Sequence, residues 1–308
     1  MYNLIVILGT NASGKTRSAA RLAAEIGSEV ISADSRQVYR GMDLGTGKDM
    51  EEFIVNGKQI PCHLIDIVDP DYEFNVFEYQ KRFYLCFTEI SRRGIIPIVA
   101  GGTGLYLEAI IECYKMVAVP EDPSLREQLN KKDMDALGRY LYSINPRLHN
   151  TTDLLDKKRV IRAIEIAEYT AADKDDEKEG KPDIHPFVVG IRWDRAVLRK
   201  RIAKRLRERM NGGMIDEVKR LRESGIGWGK LDFFGLEYRY ISLYLRGEMG
   251  FDEMVTTLGT KIGQFAKRQE TWFRRMERRG TRIHWVENAD YPSLGRLIKQ
   301  HVVRDGIQ

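Results

Sequence analysis

The stretch GTNASGKT, residues 9–16, decides the fold of this chain. It fits the phosphate-loop pattern G-x-x-x-x-G-K-[ST] in full, follows the apolar run LIVIL (4–8) and precedes the helix-forming segment SAARLAAEIG (18–27). A strand, a glycine-rich turn and a helix N-terminus form the context in which this pattern binds phosphate, because backbone N–H groups and the helix dipole both face the anion. The stretch therefore predicts a phosphate site in an α/β fold.

Each part of the loop has an expected task. Glycines permit the bends that turn N–H groups toward the anion, the lysine adds a positive charge, and the terminal hydroxyl usually reaches a magnesium ion. We therefore predict Mg²⁺ as cofactor, with Thr16 as its protein ligand. The predicted phosphate-binding residues are Gly9, Thr10, Asn11, Ala12, Ser13, Gly14, Lys15 and Thr16.

Strands and helices alternate along the first third of the chain. EVISA (29–33) and IIPIVA (95–100) are apolar runs typical of buried strands, and CHLIDI (62–67) predicts a shorter strand between them. Residues 76–94 have the apolar spacing of an amphipathic helix. This order is typical of a P-loop-containing parallel sheet, an α/β fold.

The pattern changes after about residue 113. Residues 121–170 are charged and helical in spacing, and the next strand candidate is FVVGIRW (187–193). We therefore predict a mainly helical insertion domain over 113–186, within a core formed by 1–112 and 187–308.

Charge is distributed unevenly along the 308 residues. The net charge is +5, yet residues 186–308 carry 26 Lys/Arg against 15 Asp/Glu, whereas residues 1–112 carry 11 against 15. A one-sided basic surplus suggests a polyanionic partner such as nucleic acid, and a merely solvated helical face is the alternative. In the last basic helix the charges are Lys267, Arg268, Arg274, Arg275, Arg278 and Arg279.

Cysteine use and hydropathy indicate the compartment. The three cysteines, Cys62, Cys86 and Cys113, form no CxxC pair, which is typical of a reducing cytosol. No apolar run is long enough to cross a bilayer, so we expect a cytoplasmic protein without membrane association. We also expect a monomer.

Polar residues follow two of the predicted strands. Asp34 comes directly after EVISA, and Thr103 follows IIPIVA in the turn GGTG. Carboxyl ends of parallel strands are where α/β sheets bind ligands. Spacing alone favours the alternative that Asp34 or Ser35 caps a following helix, and Thr103 fits a tight turn equally well. Asp66 and Asp69 offer a weak Walker-B candidate, which keeps a P-loop kinase open.

Seven motifs, taken in order, resemble those of the tRNA dimethylallyltransferase family. The resemblance extends to about residue 275, almost the whole chain. A departure lies at FFGLEYRY (233–240), where the family usually has an IGY turn, which suggests a divergent branch. The matching motifs are GTNASGKT, SADSRQVYRGMDLGTGK, PCHLIDIVDP, PIVAGGTGLYLEA, KKRVIRAIEI, RIAKRLRERMNGGMIDEV and AKRQETWFRR.

The resemblance implies a reaction. The family transfers a dimethylallyl group from dimethylallyl diphosphate to the exocyclic amine of the adenine 3′ of the anticodon, in tRNAs that read codons beginning with U. The loop would then hold the diphosphate of this donor and not ATP, and the anticodon stem-loop of tRNA would be the partner. An adenine amine is a weak nucleophile, so a carboxylate is needed to take its proton.

The family's site residues fall on specific positions of this sequence. Its general base falls on Asp34, its threonine beside the diphosphate on Thr103, and a pyrophosphate-binding arginine on Arg205. The segment that contacts the target adenine and its neighbours falls on Asp34, Ser35, Arg36 and Gln37. The tRNA-contacting segment falls on Lys157, Lys158, Arg159, Val160 and Ile161.

Three other functions stay open at this point. A small-molecule kinase would give no task to the basic C-terminal third. An adenylate isopentenyltransferase acts on a free nucleotide and would not need the insertion. A non-catalytic RNA-binding ATPase would not need Asp34 and Thr103 at strand ends beside the loop.

Overall fold

The structure, a computed structural model, describes residues 1–146, 156–172 and 181–302. The chain divides into two compact units. The core unit comprises residues 1–114 and the chain from Lys181 onward, and the helical unit comprises Lys115–Gly180. No helix in the described ranges is long and apolar enough to span a membrane.

The elements alternate first and then become mainly helical. The N-terminal part of the core unit contains β1 (Leu4–Gly9), α1 (Lys15–Ile26), β2 (Val30–Ala33), a 3₁₀ turn (Met50–Phe53), β3 (Ile54–Val55), β4 (Lys58–Gln59), β5 (Cys62–His63), α2 (Val76–Arg92), β6 (Ile98–Gly101) and α3 (Gly104–Ile111). The helical unit contains α4 (Pro123–Asn130), α5 (Met134–Ile144) and α6 (Lys157–Ala172). The C-terminal part of the core unit contains β7 (Pro186–Arg192), α7 (Arg195–Asn211), α8 (Met214–Glu223), α9 (Trp228–Phe234), α10 (Leu236–Leu245), α11 (Phe251–Arg278), β8 (Ile283–Glu287) and α12 (Tyr291–His301).

Six strands form one parallel sheet in the order β5-β2-β6-β1-β7-β8. The predicted α/β class is therefore confirmed. The register pairs Gly101 of β6 with Ala33 of β2 on one side and with Leu8 of β1 on the other. These three strands thus end level with one another, so the residues that follow them meet at one edge of the sheet.

The strand predicted over 62–67 is shorter than its apolar pattern. Only Cys62 and His63 pair with β2. Leu64 and Asp66 have positive φ angles of 61° and 54°, which turn the backbone away from an extended path. The local turn therefore ends the strand after two residues.

The run LIVIL is apolar throughout because both faces of β1 are covered. Leu4, Val6 and Leu8 belong to one hydrophobic cluster, and Ile5 and Ile7 belong to a second. Side chains alternate across a strand, so the two clusters lie on opposite faces of the sheet. The first strand is thereby fixed as the centre of the fold, with the phosphate loop directly after it.

The helical unit has a small apolar core of its own, which corrects one prediction. Val160 is fully buried and Ile161 nearly so, and both pack in this core with Leu129, Leu137, Leu141 and Ile164. Their side chains have no surface to offer an RNA. The predicted tRNA-contacting segment is therefore reduced to its charged beginning, Lys157, Lys158 and Arg159, of which the last two are exposed.

Candidate active site

A cavity of about 820 Å³ lies at the carboxyl edge of the sheet. Residues 11–17 of the loop and helix α1, residues 34–37 after β2, and Thr103 after β6 all line it. Helix α7 supplies Arg201, Arg205 and Arg209 to the same cavity. The structure thus brings together most residues predicted from the sequence; Gly9 and Thr10 do not line the cavity.

The phosphate loop presents unpartnered polar groups. Ala12 and Gly14 have φ angles of 61° and 88°, and successive bends of this kind turn backbone N–H groups inward. Helix α1 begins directly after Gly14, and among the described residues no side chain caps that end. The buried Ser13 hydroxyl likewise has no hydrogen-bond partner in the described chain. An anion in the loop would satisfy these groups.

The side-chain ammonium of Lys15 is shielded from water by burial. Its Nζ donates a hydrogen bond to the carbonyl of Thr10 at 3.3 Å. Burial lowers the pKa of Lys15 to about 8; Asp34 opposes this shift, whereas the nearby Arg205 adds to it. Because the charged form is disfavoured in the free protein, a bound anion would stabilise it strongly.

A glutamine of α11 fixes the loop against the end of β6. Gln269 accepts a hydrogen bond from the Asn11 N–H at 2.9 Å and donates one to the carbonyl of Gly102 at 2.9 Å. A Cβ atom on Gly102 would lie 2.5 Å from Gln269 Nε2, so only glycine permits this approach. Sequence reasoning missed Gln269, although a buried amide within the apolar stripe of an amphipathic helix was a usable signal.

Two side chains bind the carbonyl side of the same loop. Trp193 donates its indole N–H to the carbonyl of Ser13 at 2.9 Å, and Arg201 donates to the carbonyl of Ala12 at 2.8 Å. The guanidinium of Arg201 also lies 4.1 Å from the centre of the Trp193 ring. These two bonds fix the carbonyl side of the loop; on its N–H side, Asn11 and Ser13 are also bonded within the protein, to Gln269 and to the carbonyl of Thr10.

Asp34 does not cap a helix. No helix follows β2 directly in the described chain, and the Asp34 carboxylate instead accepts the Arg36 N–H at 2.9 Å in a tight turn. The helix-cap alternative is therefore wrong. Thr103 immediately precedes α3, and its hydroxyl accepts the Ser35 N–H at 3.0 Å without capping α3. This bond joins the ends of two neighbouring strands.

The loop after this turn is held by a buried carboxylate that sequence reasoning did not single out. Glu217 of α8 accepts the N–H groups of Asp43 at 2.9 Å, Leu44 at 2.7 Å and Gly45 at 3.0 Å. It also accepts the hydroxyl of Tyr238 at 2.8 Å. Three N–H groups converging on one carboxylate fix the backbone that forms a wall of the cavity.

The side-chain amide of Gln37 already forms two hydrogen bonds within the protein. Its amide donates to the carbonyl of Gly47 at 2.9 Å and accepts the hydroxyl of Ser32 at 3.0 Å. The side chain is therefore held in one orientation at the cavity wall, with fewer groups left for a substrate.

Arg205 forms an ion pair with the side chain of Asp49. Asp49 bonds to Arg205 and accepts Arg209 at 3.0 Å. Although burial would raise the pKa of Asp49, the two guanidinium groups hold it below its usual value. The nearby Glu52 has a raised pKa, because of burial and then of Asp49. Asp49 thus presets the position of the arginine predicted to bind diphosphate.

The Walker-B candidates are engaged elsewhere. Asp66 pairs with the buried Lys48, and Asp69 pairs with Arg40 at 2.9 Å. Neither aspartate lines the cavity. Across residues 1–146, 156–172 and 181–302, no group of three or more His, Cys, Asp or Glu side chains could hold a metal.

The basic face of α11 is smaller than its sequence indicates. Arg275 and Arg279 pair with Glu108, whose side chain is fully buried, so two of the six predicted cations serve packing against α3. Arg279 is exposed despite this pairing, and the exposed cations outside it are Lys267, Arg268, Arg274 and Arg278.

Known proteins resemble this chain over nearly its full length. The sequence profile of the family described as IPP transferase matches residues 37–276, and that of isopentenyl transferase matches residues 2–60. The tRNA dimethylallyltransferase 1 of Syntrophus aciditrophicus is 60% identical over 97% of this chain and 98% of its own. The tRNA dimethylallyltransferase 2 of Bacteroides fragilis is 52% identical over 93% of each chain.

Solved structures share the architecture. The full-length tRNA isopentenylpyrophosphate transferase of Bacillus halodurans superimposes with a TM-score of 0.70 at 32% identity, over 97% of this chain and 96% of its own. A eukaryotic dimethylallyltransferase acting on tRNA superimposes with a TM-score of 0.77 at 22% identity, over 100% of this chain and 81% of its own. The second likeness is one of fold.

Proposed function

The chain belongs to the IPP transferase family, and on that premise we propose that it is a tRNA dimethylallyltransferase. It transfers a dimethylallyl group from dimethylallyl diphosphate to the exocyclic amine of an adenine and releases diphosphate. The adenine is the one 3′ of the anticodon in tRNAs that read codons beginning with U.

One observation carries this proposal: a single cavity holds both the phosphate loop after β1 and a carboxylate at the end of β2, with β6 between these two strands. The diphosphate would lie in the loop, against its N–H groups, the Ser13 hydroxyl and Lys15. Asp34 would face the acceptor. The proton acceptor and the leaving group would then lie on different walls of one space, as a displacement reaction requires.

The chemistry assigns a task to each group. Asp34 takes the proton of the adenine amine as the new C–N bond forms. Lys15 and Arg205 stabilise the charge that develops on the departing diphosphate, and Thr103 holds the turn that carries Asp34. Thr16 would hold Mg²⁺ together with diphosphate oxygens, and the ion would supply further positive charge to the leaving group.

The partner is the anticodon stem-loop of tRNA. The exposed cations of α11 offer phosphate contacts, and in the helical unit Lys157, Lys158 and Arg159 offer more. The target base must leave its stack to reach a cavity of this kind. We place the protein in the cytoplasm as a monomer; its three cysteines, all without disulfides, are consistent with that compartment.

The test is mass spectrometry of tRNA nucleosides after incubation of unmodified tRNA with the protein, dimethylallyl diphosphate and Mg²⁺. We expect one adenosine in the anticodon loop to gain the mass of a dimethylallyl group in exchange for hydrogen. ATP in place of the donor should give no product. Transfer of phosphate from ATP, or modification of free AMP in preference to tRNA, would overturn the proposal.

A further inference from the structure

The segment FFGLEYRY, where the sequence departs from the family pattern, exposes an aromatic ring beside the cavity. Phe233 is 53% exposed, whereas its neighbour Phe234 is almost completely buried. Asp232, Phe234 and Gly235 line the cavity; Phe233 does not, but its ring lies against Arg36, which does. The chain therefore has an exposed aromatic ring that contacts a residue of the cavity wall.

Two cations flank this ring. The guanidinium carbon of Arg36 lies 4.8 Å from the ring centre, and the Nζ atom of Lys230 lies 5.7 Å from it. Arg36 also lines the cavity and follows Asp34 by two residues. Arg36 thus connects the ring to the turn that carries the proposed base, because its guanidinium contacts Phe233 and its N–H donates to Asp34.

A single exposed aromatic residue is ordinary and implies no site by itself. An exposed ring with two cations close to it has, however, the chemistry of sites for single-stranded nucleic acid, in which an aromatic ring stacks on a base and cations neutralise the adjacent backbone. An adenine that leaves the anticodon stack also removes a stacking partner from its neighbours. The base next to the target adenine would therefore recover stacking energy if it stacked on an aromatic side chain of the protein.

We propose that Phe233, with Arg36 and Lys230, forms a stacking platform for one base adjacent to the target adenine. The proposal rests on the proposed function and deepens it, because it adds a second base contact outside the reaction cavity. Phe233 is a binding residue here: it helps to hold the RNA and takes no part in bond formation.

The test compares Phe233→Ala, Phe233→Leu and Phe233→Tyr with the wild-type protein. Kinetics of prenyl transfer give kcat and the KM for tRNA, and fluorescence titration gives the Kd for an anticodon stem-loop that carries 2-aminopurine next to the target adenine. The control is Phe251→Ala. Phe251, the first residue of α11, is also partly exposed, at 45%, and its ring contacts that of Tyr244 in α10.

We expect Phe233→Ala and Phe233→Leu to raise the KM and the Kd by about 5- to 150-fold, the usual range for one stacked base. The kcat at saturating tRNA and the Kd of the donor should stay within about twofold of the wild-type values. A twofold change is smaller than the loss of one stacked base would cause. Phe233→Tyr should bind as the wild type does, with the same quenching of 2-aminopurine. Phe251→Ala should change none of these values.

Wild-type binding by Phe233→Leu would overturn the platform, because leucine keeps the apolar volume but cannot stack. An equal loss in Phe251→Ala would overturn it as well. If the wild-type protein modified no tRNA, the proposed function would fail, yet the stem-loop titration of the same variants would still decide whether Phe233 stacks on a base.

Discussion

The hydroxyl of Thr103 accepts the backbone N–H of Ser35 at 3.0 Å, which joins the carboxyl ends of β6 and β2. Asp34 directly precedes Ser35 in the chain, and its carboxylate accepts a hydrogen bond from the N–H of Arg36. The position of the proposed base therefore depends on a hydrogen bond from a neighbouring strand.

Thr103→Val tests this dependence, since valine keeps the shape of threonine and removes the hydroxyl. We expect kcat to fall by about ten- to a hundredfold, because the hydrogen bond that positions the base is removed, with little change in donor affinity. Thr103→Ser should recover most of the rate. Single-turnover kinetics at saturating substrates measure the effect, and a wild-type rate in Thr103→Val would remove Thr103 from the site.

Asp34→Asn tests the base itself. Asparagine keeps the bond to the Arg36 N–H but cannot accept a proton, so the single-turnover rate should fall by about 10²–10⁴-fold. The melting temperature should hardly change, because in the described chain no helix uses this residue as its cap. A rate near that of the wild type would exclude Asp34 as the base.

The lowered pKa of Lys15 predicts how donor binding depends on pH. Below about pH 8 the ammonium is charged in the free protein, and above it the free protein loses the proton that the bound anion requires. Donor Kd should thus be flat between about pH 7 and pH 8, where the diphosphate is fully ionised, and rise by up to about tenfold per pH unit above that range. Calorimetric titration measures this, with Lys15→Ala as control: the variant should bind weakly and without that rise.

Glu217 predicts a stability effect. Glu217→Gln replaces an acceptor of four hydrogen bonds with an amide that must direct N–H donors at other donors. We expect a loss of about 3 kcal/mol in the free energy of unfolding, against about 1 kcal/mol for Tyr238→Phe, which removes one bond. Urea denaturation compares the two. If both variants lost the same small amount of unfolding free energy, water would be replacing the hydrogen bonds of Glu217 without cost.

The basic face of α11 predicts a salt effect. Arg274→Glu with Arg278→Glu should weaken tRNA binding and flatten its dependence on salt, by about one unit of the logarithmic slope for each phosphate that is no longer neutralised. Donor binding should be unaffected. Arg274→Glu alone is compared with Arg296→Glu on α12, because these two single substitutions of exposed residues change the net charge by the same amount. If that control weakened tRNA binding equally, the surplus would act as a diffuse charge and not as a defined surface.

The same helix shows why sequence could not identify its free cations. Arg275 and Arg274 are adjacent and chemically identical, yet Arg275 pairs with buried Glu108 of α3 whereas Arg274 is exposed. Helical periodicity places them on different faces. It does not say which face meets an acid from a segment more than 160 residues away.

The α/β class and the strand–loop–helix arrangement at residues 4–26 could be predicted from the sequence, because they depend on local order: an apolar run, a glycine-rich turn and a helix are adjacent in the chain. The sequence also carried the resemblance that identified the family. The tertiary structure decided what Asp34, Gln269 and Glu217 do, since each contacts residues brought close only when strands align and helices pack. Local spacing favoured a helix cap at Asp34, and the hydrogen bond between Thr103 and Ser35 came instead from the parallel register of β2 and β6.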